Sequence, residues 1–220
     1  MTDLIVYLKN PEPGKVKTRL QPHYSPEEAA RLYRGFIEDT VETVSSIGAD
    51  RCWAAYTPAD SRSEIEAFIP SDWNLAPQVG DDLGRRMRQS MNASIATGAD
   101  RAILIGSDIP SLPGSHITSA ISRLDNADVV LGPTNDGGFY LIGIRSTLPD
   151  IFSNVTWSTH NAFEQTAEGI RSKELMMSLI PPWNDIDTPE DLDAEILSAR
   201  KESGMTHTDR VYRHLSQPNP

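Results

Sequence analysis

Arg101–Leu112 reads RAILIGSDIPSL, and the rest of the chain is interpreted outward from it. Ala102–Ile105 is an uninterrupted apolar run, and Gly106, Ser107, Asp108 and Pro110 follow at once as turn residues. A short run of this kind, closed by Gly and Asp, predicts a strand buried on both faces. In open α/β sheets, ligands bind beyond the carboxyl ends of such strands. Asp108 is the first acid past this one, and Pro110 biases Ile109 to an extended conformation. A carboxylate on a stiff turn at that rim suits a hard cation with oxygen ligands, Mg²⁺ or Mn²⁺. Read alone, Asp108 serves equally as a loop residue or a helix cap.

Strand-like and helix-like stretches alternate on either side of this segment. Leu4–Leu8, Arg51–Tyr56, Trp73–Ala76, Asp128–Leu131, Phe139–Ile142 and Leu175–Ile180 read as strands. Helices are expected over Ser25–Ile47, Ser61–Phe68, from Leu83, over Pro113–Leu124, Ala162–Arg171 and from Thr188 to about Glu202. Ser25 with Glu28, and Ser61 with Glu64, have capping-box spacing, and Thr159 and Thr188 are further candidate caps. The alternation predicts an α/β protein with one mixed, mostly parallel sheet flanked by helices. One domain over residues 1–203 and a polar tail over 204–220, with at most a short helical turn, account for the length.

Composition narrows the function. The 220 residues carry a formal charge of −11, with 23% charged and 38% hydrophobic residues. So acidic a chain offers no face for nucleic acid, although a small phosphorylated ligand in a local basic pocket is compatible with it. Cys52 is the single cysteine, which excludes an internal disulfide and a cysteine-built metal site. It reads as a small buried hydrophobe, and a reducing cytoplasm is the expected setting. The N-terminus has no signal-peptide pattern, and no stretch approaches a membrane span.

Three further stretches carry chemistry. Lys9–Leu20, KNPEPGKVKTRL, crowds Lys9, Lys15, Lys17 and Arg19 into one loop. Such a cluster repels itself unless an anion compensates it, and a diphosphate beside Gly14 is the natural one. Pro11 and Pro13 remove two amides, which favours phosphate held by side chains, hence a diphosphate leaving group. In Gln78–Met91, QVGDDLGRRMRQSM, Arg85, Arg86 and Arg88 lie in the first turns of a helix, against its dipole. At least one should answer a ligand or a carboxylate, and Asp82 and Arg86 join the candidate nucleotide site. Gly132–Gly143, GPTNDGGFYLIG, reads either as a binding loop or as an Asp-Gly hairpin. Neither a Walker A loop nor a GxGxxG fingerprint is present, and the histidines have no metal-ligand spacing.

K-N-P-x-P-G-x-V-K-T-R-L, G-D-D-L-G-R-R-M, G-S-D-x-P and G-P-x-x-D-G-G-x-Y-L-I-G together resemble the bacterial glycosyltransferases of arsenosugar-biosynthesis type. These belong to the nucleotide-diphospho-sugar transferases of GT-A fold. The resemblance covers about Met1–Leu192. It implies a Rossmann-like mixed sheet, a nucleotide sugar donor, a small-molecule acceptor and a divalent cation. The DTPEDL at Asp187–Leu192 is similar to sugar-nucleotide cytidylyltransferases, where its first Asp is a metal ligand. Carried over, Asp108 and Asp187 are the metal pair, and Lys9, Gly14, Lys15, Lys17 and Arg19 form the nucleotide loop. Many GT-A enzymes carry D-x-D where this chain has Pro110, which puts more weight on Asp187. If transfer inverts the sugar, Asp136 is the candidate general base. The reading is therefore a metal-dependent glycosyltransferase. The alternatives are a nucleotidyltransferase that releases pyrophosphate, and a nucleotide-sugar binding protein without turnover.

Overall fold

The computed structural model describes residues 1–21, 23–202 and 205–216, with the backbone alone over 199–202. Seven strands form one sheet: β1 (Thr2–Lys9), β2 (Arg51–Thr57), β3 (Asn74–Pro77), β4 (Arg101–Gly106), β5 (Val129–Pro133), β6 (Phe139–Ile144) and β7 (Met177–Leu179). Their spatial order is β3-β2-β1-β4-β6-β5-β7, and β6 alone runs antiparallel to its neighbours. The helices are α1 (Pro26–Ser46), α2 (Arg62–Glu66), α3 (Leu83–Ala96), α4 (Gly114–Arg123), α5 (Ala162–Ser172), α6 (Pro189–Glu202) and α7 (Thr206–Leu215). A 3-10 turn at Thr18–Leu20 follows β1.

Side-chain alternation along the central strands sorts the core into two layers. Leu4, Val6 and Leu8 of β1 and Ile103 and Ile105 of β4 face Leu32, Phe36 and Ile37 of α1 and Ile117 of α4. Ile5, Ala102 and Leu104 point the other way, toward Met87 and Met91 of α3 and Ile170 of α5. Both faces are covered, which explains why Leu4–Leu8 of β1 and Ala102–Ile105 of β4 are continuous apolar runs rather than alternating.

Local side-chain caps set the starts of α1, α3 and α6. The Ser25 hydroxyl accepts from the Glu28 amide, and the Glu28 carboxylate accepts from the Ser25 amide at 2.7 Å. At α6 the Asp191 amide donates to Thr188 Oγ1, while the Asp191 carboxylate accepts from the Thr188 amide. The Ser61–Glu64 box does not form. Ser61 Oγ donates instead to the Pro58 carbonyl at 2.7 Å, and α2 is shorter than its sequence period suggested. At α5, Thr159 is two residues early: Asn161 is the cap, and the Thr159 carbonyl accepts from the Ala162 amide.

Beyond residue 204 the expected tail forms a helix, α7, over Thr206–Leu215. Its dock is Asp39, a buried acid on α1 that accepts from the backbone amides of His207 and Thr208 at 2.8 Å each. The two helices touch closely at Gly35, where a side chain would meet the Thr208 backbone at 3.1 Å. A helix-capping partner supplied by another element is invisible to a local reading. Loss of a cap costs about 1 kcal/mol and up to about 2. Asp39→Ala is accordingly expected to release α7 while the sheet persists. The readouts are faster amide exchange across Thr206–Leu215 and new proteolysis near residue 205. Unchanged exchange there would remove Asp39 as the dock.

The topology also places a crevice. The chain leaves β1 toward β2 on one side and re-enters the sheet at β4 on the other. The adjacent carboxyl ends of β1 and β4 form the switch point where α/β sheets bind ligands. Lys9, Gly106, Ser107 and Asp108 lie there.

Candidate active site

Asp108 leaves β4 and is fixed from three sides. The buried Ser107 Oγ lies 2.8 Å from the Tyr33 hydroxyl of α1, and that hydroxyl accepts from the Lys9 amide at 3.1 Å. The Asp108 carbonyl accepts from the Ile186 amide at 2.9 Å, which draws the segment before α6 onto the end of β4. Asp187 is thereby brought beside Asp108. Thr188 and Asp191 cap α6 and leave the Asp187 carboxylate for the cleft.

Lys17 lies between the two acids. Its Nζ is 2.8 Å from Asp108 Oδ1, 3.1 Å from Asp187 Oδ1 and 2.7 Å from the Ile186 carbonyl. Its side chain is 6% exposed, against 46% for Asp108 and 36% for Asp187. Burial works against the ammonium, but the paired carboxylates outweigh it and raise its pKa above the usual lysine range. The backbone of Lys17 is left-handed, at φ 44 and ψ 43. That conformation costs roughly 1–2 kcal/mol for a residue with a Cβ. Arg19 caps the arrangement, with Nη1 2.9 Å from Asp187 Oδ2.

The expected metal pair therefore converges, with a lysine where the sequence reading put a cation. In this arrangement the three ammonium hydrogens of Lys17, expected from sequence to serve the nucleotide, each have an acceptor within the protein. The donor set itself fits Mg²⁺ or Mn²⁺. Asp108 and Asp187 offer carboxylate oxygens to the cleft, and Asp185 adds a third carboxylate on the same wall. Asp185 is half-buried, and burial first, then the charges of Asp187 and Asp136, lift its carboxyl to about 6. Among the described residues a closer cluster of ligand-type groups, Asp39, Glu42 and His207, lies at the α1–α7 contact. Asp39 is engaged there with the α7 backbone.

The cleft around these acids has a volume of about 840 Å³, and Lys9, Lys15, Arg19, Arg86 and Asp136 also line it. Gly14 adopts φ +77 with open space at its Cβ position, so its value is the backbone turn. Lys15 pairs with Glu12 at 2.8 Å on the surface. The amides of Gly14, Val16 and Lys17 have no acceptor among the described residues. Asp82 is the N-cap of α3, accepting from the Arg85 amide at 2.8 Å, so its side chain supports the helix that carries Arg86. The three arginines divide: Arg85 pairs with Asp81, Arg88 donates to the Leu148 carbonyl, and Arg86 donates through Nε to the Gly80 carbonyl. Arg86 is the one of them that lines the cleft.

Gly132–Gly143 is the hairpin its sequence allowed, set at the rim of the cleft. β5 and β6 pair antiparallel through a Thr134–Gly138 turn, and the turn borders the cleft. Asp136 Oδ1 accepts from the Gly138 amide at 3.0 Å and from Thr134 Oγ1, so the carboxylate shapes the turn. Gly137, at φ +90, is required twice over, since a Cβ there would sit 2.0 Å from the His160 carbonyl oxygen.

Three cleft residues were not nominated from the sequence. Gln78 lies after β3, and its Nε2 donates to the Leu8 and Ala55 carbonyls at 3.1 and 2.9 Å. Both acceptors are carbonyls, so the amide orientation is fixed and Oε1 is left as the free acceptor. Trp157 forms a wall with Phe139 and Phe152. Asp185 was visible only as the other acid of the DID doublet.

Sheet order and switch-point cleft together define an α/β protein of nucleotide-diphospho-sugar transferase-like fold. A protein of Desulfovibrio desulfuricans G20, provisionally assigned as a nucleotide-diphospho-sugar transferase, superposes with TM-score 0.89 at 34% identity, over 97% of this chain and 96% of that one. The chain belongs to the DUF2064 family, described as an uncharacterized protein conserved in bacteria, whose model matches residues 40–159. Curated relatives are guanylyltransferases. The 2-phospho-L-lactate guanylyltransferase of Methanothermobacter thermautotrophicus is 28% identical over 185 residues, which is 82% of this chain and 78% of the relative. The phosphoenolpyruvate guanylyltransferase of Sphaerobacter thermophilus is 22% identical over 180 residues, 80% of this chain and 84% of the relative. The fold implied by the sequence resemblance stands. These curated relatives carry guanylyl transfer, not the arsenosugar-type glycosyl transfer that the resemblance implied. No described helix is long and apolar enough to cross a membrane.

Proposed function

We propose that this protein is a nucleotidyltransferase that moves a guanylyl group from GTP to a small phosphorylated acid and releases pyrophosphate. The observation that carries this reading is the similarity to two guanylyltransferases over about four-fifths of the chain. It replaces glycosyl transfer, the first expectation from sequence. An acceptor phosphate oxygen attacks the α-phosphorus of GTP, the bond to the α–β bridging oxygen breaks, and pyrophosphate departs. The acceptor is already ionised near neutral pH, so the step needs no general base. Asp136 then has no proton to take, in keeping with its role in the β5–β6 turn.

Each side chain has a part in this scheme. Asp108 and Asp187 would hold a divalent cation, which when bound supplies charge neutralisation at the reacting phosphates. Lys9, Lys15, Arg19 and Arg86 surround the space for the triphosphate. The prolines of the loop suggested side-chain holding alone, but the free amides of Val16 and Lys17 on the cleft wall favour a triphosphate cradled by backbone as well. Gln78 Oε1 is a carbonyl acceptor for a base N–H. The acceptors named in the two relatives are both phosphorylated carboxylates, so an acceptor with two anionic groups is expected here.

The direct test offers the purified protein GTP, CTP, ATP and UTP with Mn²⁺ and a panel of phosphorylated acids, and follows pyrophosphate. Release with GTP and one acceptor is the expected result. Release of nucleoside diphosphate from a nucleotide sugar, with no pyrophosphate, would restore glycosyl transfer. A second expectation concerns phosphate contacts. Arg19→Ala and Arg86→Ala should each weaken GTP by roughly tenfold and leave guanosine nearly unchanged, since a hydrogen bond to a charged group contributes about 1.5–3 kcal/mol. Equal losses for both ligands in calorimetry would assign these arginines to the base or to the fold.

A further inference from the structure

We infer that Lys17 is the resident counter-ion of the Asp108–Asp187 pair, and that a divalent cation can enter the pair only by competing with it. The inference concerns the metal pair of the proposed reaction and rests on that reading for the nucleotide's part alone.

Geometry carries it. The ammonium touches one oxygen from each acid and the Ile186 carbonyl, so it fills the point where the two carboxylates converge. Among the described residues it is the lysine whose side chain is buried, and its backbone is held left-handed to deliver it there. A doubly charged ion sharing these oxygens would lie within a few ångströms of a fixed positive charge, in a partly desolvated wall where repulsion is weakly screened. The pair is therefore a poor site for a bare cation. A triphosphate changes the balance. It brings acceptor oxygens to the cleft wall next to Lys17, where an ammonium that gives up a carboxylate finds a phosphate. Metal and nucleotide should each raise the affinity for the other, through the choice of partner made by one lysine. Coupling of this kind is reciprocal by linkage.

The test measures Mn²⁺ binding directly, by the paramagnetic resonance of the free ion, with and without GTP. In the unmodified protein, Mn²⁺ alone should bind weakly, and GTP should tighten it at least tenfold beyond what free GTP binds. Lys17→Met keeps the length of the side chain and removes its charge. It should tighten Mn²⁺ binding without nucleotide by about tenfold and shrink the GTP effect. Lys17→Arg keeps the charge and should keep the weak binding. Asp108→Asn in the Lys17→Met background should lose the tight ion, which ties the signal to this pair. A folded Lys17→Met protein that binds Mn²⁺ no more tightly than the unmodified one overturns the inference.

A second measurement needs no variant. In ¹⁵N-lysine-labelled protein, the saturated ammonium of Lys17 should give a protected Nζ resonance, and Mg²⁺ with GTP should shift it or remove its protection. A resonance unmoved at saturating Mg²⁺ and GTP also overturns the inference. Absence of pyrophosphate release alongside intact Mn²⁺ competition would discard the proposed reaction and leave the role of Lys17 standing.

Discussion

Asp108→Asn is expected to lower kcat/KM for pyrophosphate release by about a thousandfold, because cation-assisted charge stabilisation contributes several kcal/mol to such transition states. Asparagine preserves the shape of the side chain and removes the charge. It keeps one oxygen that can accept from Lys17 but offers a divalent ion only a neutral ligand. The fold should tolerate the change. The Asp108 carbonyl, not its carboxylate, holds Ile186, and the side chain is 46% exposed. A loss of about 1 kcal/mol would move Tm by roughly 2–4 °C in a chain of this size. The measurement pairs initial rates across a Mn²⁺ titration with calorimetric Tm. Wild-type kcat/KM at the same Mn²⁺ midpoint would remove Asp108 from the site. A variant that recovers at high Mn²⁺ would instead leave Asp187 and Asp185 as the stronger ligands.

Much of the fold was legible because it depends on short-range signals. An apolar run ending in Gly-Ser-Asp at Gly106–Asp108 reports a buried strand and its carboxyl end together, and the crevice follows from topology. Ser25–Glu28 and Thr188–Asp191 likewise announce helix starts through bonds made within one turn. Features that depend on distant partners were not legible. The α7 helix looks like a polar tail because its dock, Asp39, lies on α1 and because Gly35 clears the way for it. Site residues followed the same rule. Asp108 and Asp187 could be nominated as acids after a strand and before a helix. That Lys17 bridges them depends on a left-handed backbone at a lysine, which no residue type advertises. Asp82 was nominated for the nucleotide site, and its capping of α3 was not read, since the two uses of an Asp before an arginine-bearing helix look identical in sequence. Gln78 carries no motif, and its fixed amide is visible only once two strand carbonyls stand beside it.

The largest expected loss of stability is at the opposite end of the strands, away from the cleft. Asp3, near the start of β1, is fully buried. Its two oxygens accept from Arg51 Nε and Nη2 at 2.8 Å each, from Trp53 Nε1 at 3.0 Å and from Ser94 Oγ at 2.6 Å. One carboxylate thus joins β1, β2 and α3. Removing a single partner from a buried, hydrogen-bonded ion pair strands the remaining groups, at a cost of about 3–5 kcal/mol. Asp3→Ala leaves the Trp53 and Ser94 donors without their acceptor. Arg51 is 25% exposed and keeps Thr97 as an acceptor, so water and that residue recover part of its loss. The expected fall in Tm is roughly 6–20 °C, from about 2–4 °C per kcal/mol. Six residue-to-residue steps of strand, at about 3.3 Å each, separate Asp3 from Lys9 at the cleft, so the folded fraction should keep its affinity for GTP. Thermal and urea unfolding give the loss, and calorimetry at low temperature gives the affinity. A Tm within 2–3 °C of the unmodified protein would mean that water replaces the carboxylate at no cost. A collapse of GTP affinity in the folded fraction would show instead that this end of the sheet controls the cleft.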